Sequence, residues 1–411
     1  MKIHNRWFQL VASVIAMIMI ANLQYAWTLF VKPMQAGTGW KLSDIQWAFT
    51  LFILFQTWVQ PAQGFLIDRL GPRLFTTIAG VLCGIGWAGL GLVTTLPMLY
   101  TLYVIAGIGA ALVYGGCMGS ALKWFTQERG LAAGIIAAGF GGGTALFIPV
   151  IASLIKNQGY QTAFLYTGIF QGLMILIVAQ FLRHPPAAPA TATPVAVTGS
   201  KLGQHQYTTS EMLRAPQFYV LYAMFLMMST GGLLVTANAS AIAGAWGIPA
   251  AALVLATSLN AVANGGSRIF WGWVSDRTGR ELAMGIAFAL QAICLVLTLT
   301  VGRLSGTLFT VTLVATFFTW GEIFSLFPSL VADYFGTRHA TSNYGVMYSA
   351  KGVSSIIAGG VAAMLFERFG TWTACFYGSA ALALIASVIA FSLRASRAPS
   401  AVAVGIPATA K

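Results

Sequence analysis

The chain has 411 residues, 58% of them hydrophobic and 8% charged, with a mean hydropathy of +0.79. A soluble domain carries about 25% charged residues, so this chain cannot cover itself with a polar surface. The formal net charge of +13 would suit a nucleic-acid partner, but the placement of the cations along the chain argues against one.

Apolar runs of about 20 residues recur along the whole length, each long enough to cross a bilayer. Twelve spans are predicted: 7–31, 45–66, 75–94, 97–119, 129–153, 162–182, 217–244, 250–274, 281–301, 306–332, 341–364 and 370–394. Backbone groups in lipid must be paired internally, so a spanning segment is a helix or part of a closed barrel. The runs are continuous and do not alternate, which excludes the barrel. The predicted fold is an all-α membrane protein of twelve transmembrane helices.

The first span follows Lys2 and Arg6. It is too long for the apolar region of a signal peptide and shows no A-x-A-like cleavage site, so it is expected to be an uncleaved helix. On the twelve-span scheme 15 lysines and arginines fall on one side. Five, Lys32, Lys41, Lys156, Arg303 and Arg368, fall on the other; Arg268 and Lys351 complete the 22. Positive loops stay cytoplasmic, so both termini are expected inside.

The second span closes on GFLIDRLGPR (64–73), and the eighth closes on GWVSDRTGR (272–280). Gly64 pairs with Gly272 and Asp68 with Asp276, both at an offset of 208 residues. A long-period repeat of this kind divides the chain into two pseudo-symmetric six-helix halves, residues 1–183 and 216–411. The segment 184–215 joins them. Its stretch HPPAAPATATPVAVTGSKLGQHQ is rich in Pro, Ala and Thr and reads as a cytoplasmic linker. Thr208 and Glu211 then stand at capping-box spacing ahead of a short helix that Pro216 would end.

The four cysteines, Cys83, Cys117, Cys294 and Cys375, all fall within spans and read as apolar packing. His4, His184, His205 and His339 lie in tails or loops, which leaves no histidine at membrane depth. There is no Walker loop, no metal-ligand cluster and no nucleophile–base pair, so neither a cofactor nor a metal is expected, and an embedded enzyme has no support.

Two cations stand inside segments otherwise built for lipid. Arg268 lies in LNAVANGGSRIFWGWV and Lys351 in NYGVMYSAKGVSSIIAGG. Counted from Arg277 and Arg338 at 1.5 Å per residue they are roughly 14 and 20 Å deep, near the middle of a hydrocarbon core about 30 Å thick. Charge at that depth is kept for a substrate, an ion or a proton path. Arginine offers a planar fork to a carboxylate and lysine a compact charge, so the pair reads as an anion site. The bland alternative is a structural pair with Glu322 or with helix carbonyls.

Glu322 is the one carboxylate placed deep in a span, roughly 16 Å before Asp333. In WGEIFS, Trp320 and Phe324 share a helical face and Glu322 points almost the other way. It reads either as a structural partner or as a proton-coupling acid.

The repeated G-x-x-x-D-R-x-G motif with an arginine close after it, Gly64, Asp68, Arg69 and Arg73 in one copy and Gly272, Asp276, Arg277 and Arg280 in the other, resembles the major facilitator superfamily. NRWFQL, LQYAWTLF, EMLRAPQF, NGGSRIFWGWVSDRTGR, FFTWGEIFSLFPS and NYGVMYSAK together resemble the oxalate:formate antiporter family across nearly the whole chain. The resemblance implies a carrier that alternates access around a central anion site, with Arg268 and Lys351 on the substrate carboxylates. It also implies an aromatic cage of Gln24, Tyr25, Tyr114, Phe140, Trp320 and Phe324. Phe140 and Phe324 stand where the family pattern has tyrosine, and Glu322 where it has a small residue. The expected function is exchange of oxalate for formate, the alternative a proton-coupled monocarboxylate symporter. The expected partners are small carboxylate anions and the lipid bilayer, for a monomer in a bacterial-type inner membrane.

Overall fold

A computed structural model describes residues 5–125, 129–183, 205–336 and 339–397, apart from the side chains of 64–69, 122, 129–131, 133, 341 and 395–397. The helices before the linker are α1 (Arg6–Tyr25), α2 (Trp27–Thr38), α3 (Leu42–Trp58), α4 (Gln60–Gly89), α5 (Leu96–Trp124), α6 (Arg129–Gly142) and α7 (Ile148–Ala179). After it come α8 (Thr209–Arg214), α9 (Pro216–Ala245), α10 (Ala250–Thr278), α11 (Arg280–Thr300), α12 (Gly306–Trp320), α13 (Ile323–Phe335), α14 (Ala340–Ile356), α15 (Ala362–Phe369) and α16 (Thr373–Arg397).

Among the described residues, nine helical stretches are long and apolar enough to cross a membrane. One of them, Gly134–Ala179, is kinked at Gly159 (φ 85°, ψ 162°) and holds two of the predicted spans. Two more helices complete the set. α3 has only 17 residues before it meets α4, and α10 buries a polar face of Asn260, Asn264, Ser267 and Arg268. The architecture is therefore consistent with twelve spans.

The sequence repeat is also a repeat of backbone shape. Gly71 has φ 73° and ψ 159°, and Gly279 has φ 90° and ψ 148°. These two positions are again 208 apart. That region of backbone space is open to glycine almost alone, so both motif copies turn the chain in the same way. The side chains of Asp68 and Arg69 lie outside the described residues, as does the linker through residue 204.

Three predicted spans are less regular than the apolar pattern implies. The first is interrupted at Ala26 and runs on to Thr38. The tenth breaks at Gly321–Glu322, between α12 and α13. The eleventh loosens into a π-helical turn at Ile357–Val361. There Thr50 of α3 inserts into the ladder: its Oγ1 accepts from the Gly360 N–H (3.1 Å) and donates to the Ser355 carbonyl (3.0 Å). A side chain that takes over backbone partners in this way is a standard cause of helix distortion.

On the linker side, α8 starts with the capping box that the spacing predicts, Thr208 with Glu211. The preceding residue docks on two spans at once. The Tyr207 N–H donates to the Phe335 carbonyl (2.9 Å), and Asn343 Nδ2 donates to the Tyr207 carbonyl (3.1 Å).

Candidate functional site

Arg268 and Lys351 are both buried, and they meet at one ring. The Arg268 Cζ lies 4.8 Å and the Lys351 Nζ 5.5 Å from the centroid of Phe324. The two charges are thus no further apart than those distances combined, although they come from α10 and α14. Phe324 follows the break between α12 and α13. Gly321 lies in that break and lets α10 approach closely, since a Cβ there would collide with Ser267 and Asn264 of α10. The same glycine brings α13 against the helix that carries Arg268.

Each cation is held by neutral groups. Arg268 Nη1 donates to the Ala137 carbonyl of α6 at 2.7 Å, and its Nε and Nη2 reach Asn264 Oδ1 at 3.4 and 3.3 Å. Part of the helix-carbonyl alternative is therefore realised for Arg268. Gly141 lets α6 come this close, because a Cβ there would sit 3.2 Å from the Arg268 guanidinium carbon. Lys351 Nζ donates to Gln24 Oε1 (2.9 Å), Gln56 Oε1 (3.1 Å) and the Tyr348 hydroxyl (3.2 Å). Among the described residues the ion pairs join His205 to Glu211 and Arg280 to Asp276 and Asp333. Neither buried cation has an acidic partner there.

Glu322 does not fill that role. It is fully buried, and neither of its oxygens has a hydrogen-bond partner. Among the described residues the structural pairing weighed from the sequence is absent, and Glu322 has no hydrogen-bonded partner. Two buried donors near the cations also lack partners, Gln24 Nε2 and the Tyr344 hydroxyl. A buried donor left unmatched costs about 1–3 kcal/mol, which makes both fit to receive an anionic oxygen.

The aromatic residues named from the sequence come together unequally. Tyr25 and Tyr114 pack on Phe140 at centroid distances of 5.6 and 5.4 Å, and Phe140 lies 5.9 Å from the Lys351 Nζ. Tyr25 also receives a hydrogen bond from Asn264 Nδ2 (3.0 Å), which joins it to the arginine side. Trp320 stands one layer back, edge-on to Phe324 at 5.2 Å and seated over Gly232. Sequence reasoning missed Gln56, Asn264, Tyr344 and Tyr348. Asn264 lies four residues before Arg268, and Tyr348 and Tyr344 lie three and seven before Lys351, so helical periodicity could have found them. Gln56 comes from another helix and carries no local signal.

The second motif copy sits well away from this cluster. Arg280 Nε donates to Asp333 Oδ2 at 2.6 Å, which ties the start of α11 to the end of α13, and Asp276 lies 3.7 Å from Arg280. Arg277 stacks on Trp273 at 3.9 Å. In the first copy, Arg73 Nε donates to Gln180 Oε1 at 2.8 Å.

Comparison with known proteins agrees with this architecture. The profile of the Major Facilitator Superfamily matches residues 12–238 and 220–408. The oxalate:formate antiporter of Oxalobacter formigenes is 40% identical over 389 residues, covering 95% of this chain and 90% of that protein. Monocarboxylate transporter 12-B of Danio rerio is 24% identical, over 89% of this chain and 82% of its own. The apicoplast pyruvate carrier 1 of Toxoplasma gondii is 24% identical, over 77% and 68%.

Proposed function

The chain belongs to the major facilitator superfamily, and we propose that it exchanges oxalate for formate by alternating access around Arg268 and Lys351. The observation that carries this reading is the pair of buried cations at one phenylalanine ring with no acidic partner among the described residues. A dicarboxylate presents one carboxylate to each cation. The guanidinium offers a forked contact, and the ammonium completes the neutralisation. Gln24 and Tyr344 supply further donors, and the rings of Tyr25, Tyr114, Phe140, Trp320 and Phe324 keep water out. Residues 1–183 and 216–411 act as the two moving halves, with 184–215 as their tether. Among the described motif side chains, Arg73, Asp276, Arg277 and Arg280 brace the cytoplasmic ends. The cation asymmetry supports a cytoplasmic place for both termini, and the carrier works as a monomer in a bacterial-type inner membrane. The antiporter relative at 40% identity supports the choice of anions. The test uses purified protein in proteoliposomes loaded with unlabelled formate. Uptake of labelled oxalate is expected, and its absence with every carboxylate counter-substrate would overturn the reading.

Glu322 favours a second reading, proton-coupled monocarboxylate symport. An unpaired buried carboxylate is expensive as an anion, which suits a group that gains and loses a proton. Glu322→Gln separates the two. Under exchange, pH-driven net uptake is negligible in wild type and variant alike. Under symport, the variant loses pH-driven uptake and keeps the exchange of labelled for unlabelled anion.

A further inference from the structure

On the side that the cation count assigns to the exterior, a cavity of about 610 Å³ opens between α2 and the start of α3 on one wall and α9 and α15 on the other. Lys32, Gln35, Lys41, Ala241, Ala245 and Glu367 line it. Five lysines and arginines fall on this side in the whole chain, and two of them stand at this one opening. Among the described residues neither lysine has an ion pair. The cavity's one carboxylate is committed elsewhere: Glu367 accepts from the Ser43 backbone N–H on Oε1 (2.9 Å) and from its hydroxyl on Oε2 (2.7 Å). That contact caps the exposed donors at the start of α3. The Lys32 ammonium lies against Gly244, where any side chain would displace it. The opening is left with net positive charge.

A closed seam separates it from the buried cations. Lys32 stands seven residues beyond Tyr25, about 10 Å at the helical rise. Between them is a void of about 20 Å³ lined by Tyr25, Thr28, Thr236, Thr257 and Asn260. Two contacts close the seam there. The Ser240 N–H donates to Thr28 Oγ1 (2.8 Å), and Gln46 Nε2 donates to the Ala237 carbonyl (2.7 Å).

We propose that Lys32 and Lys41 form an outer recruitment site for small carboxylate anions, separate from the central pair. The proposal rests on the carboxylate reading above. A cleft with one sign of charge and low-dielectric walls concentrates the opposite ion, and raises association rates by about 10- to 1000-fold. Such attraction fades beyond about 8 Å at physiological ionic strength, so it acts on capture at the mouth and leaves the closed complex unchanged. It lowers the half-saturation concentration on the external face alone.

The test compares wild type with the Lys32→Gln, Lys41→Gln double variant, using labelled oxalate and labelled formate in right-side-out and inside-out vesicles. Wild-type external half-saturation is expected to rise as ionic strength is raised. In the double variant it should start about 10-fold higher at low salt and respond little to salt. Internal half-saturation and the saturated exchange rate should match wild type. An external half-saturation and salt response equal to wild type would overturn the proposal, as would an equal shift on both faces. Failure of the carboxylate reading is seen separately, as wild-type vesicles that take up neither anion.

Discussion

At the scale of single residues, the guanidinium of Arg268 acts through its shape as well as its charge. One nitrogen reaches the Ala137 carbonyl and two reach Asn264, which leaves the group fixed as a flat plate over Phe324. Arg268→Lys keeps the charge and loses the plate. A hydrogen bond to a charged group is worth about 1.5–3 kcal/mol, so labelled oxalate uptake at equal expression is expected to fall roughly 10- to 100-fold. Uptake within twofold of wild type would show that charge alone suffices. Arg268 and Lys351 are legible from sequence because charge inside an apolar run is conspicuous. The side chains that position them are not. Gln24 could be named only through a resemblance, and Gln56, Asn264 and Tyr348 are ordinary polar residues whose role depends on which helix lies opposite.

At the scale of helices, α14 and α15 are separated by a turn that α3 imposes. A Cβ on Gly359 would sit 2.5 Å from Thr50 Oγ1, and one on Gly360 would sit 2.5 Å from the Trp47 ring. Gly359→Ala is expected to destabilise the protein by about 1–3 kcal/mol through overpacking, read as a lower midpoint of thermal unfolding in detergent. Thr50→Ala removes the colliding atom, so the double variant should lose less than the two single losses added together. Strict additivity would mean that Thr50 does not shape this turn. The apolar runs announced most of the spans, because burial in lipid demands them; α3 and α10 fall short of the same measure of length and apolarity. The runs did not announce the breaks at Gly321–Glu322 and Ile357–Val361, which arise where a neighbouring helix presses in. The helical-face argument that set Glu322 opposite Trp320 and Phe324 assumed an unbroken helix from Trp320 to Phe324, and the break at Gly321–Glu322 lies within that stretch.

At the scale of the whole molecule, two buried cations without acidic partners among the described residues make the closing of an unloaded carrier expensive. Closing removes the water that screens them, and in a low-dielectric interior they repel each other. A divalent anion cancels the pair, and a monovalent anion cancels half. The loaded protein should therefore reorient much faster than the unloaded one, a differential stabilisation of the closed state by ligand. Efflux of labelled oxalate from proteoliposomes is expected to be slow into plain buffer and fast into buffer holding an exchangeable carboxylate. Equal rates would show that the unloaded carrier returns freely, as in uniport or symport.

The polar inward face of α10 bears on how the chain enters the membrane while it is being made. α10 is absent from the stretches apolar enough to span by composition, and an arginine at mid-helix is penalised by about 2.5–3.5 kcal/mol at the point of insertion. Its neighbours α9 and α11 are both strongly apolar, and only Gly279 separates α10 from α11. α10 should therefore leave the insertion machinery as the passenger of a hairpin rather than alone. A nascent chain cut after Gly279 and fused to a glycosylation acceptor should leave α10 on the luminal side of microsomes and be glycosylated. The same fusion carrying Arg268→Leu should insert α10 and escape modification. Identical glycosylation of the two fusions would mean that Arg268 does not decide when α10 enters the membrane.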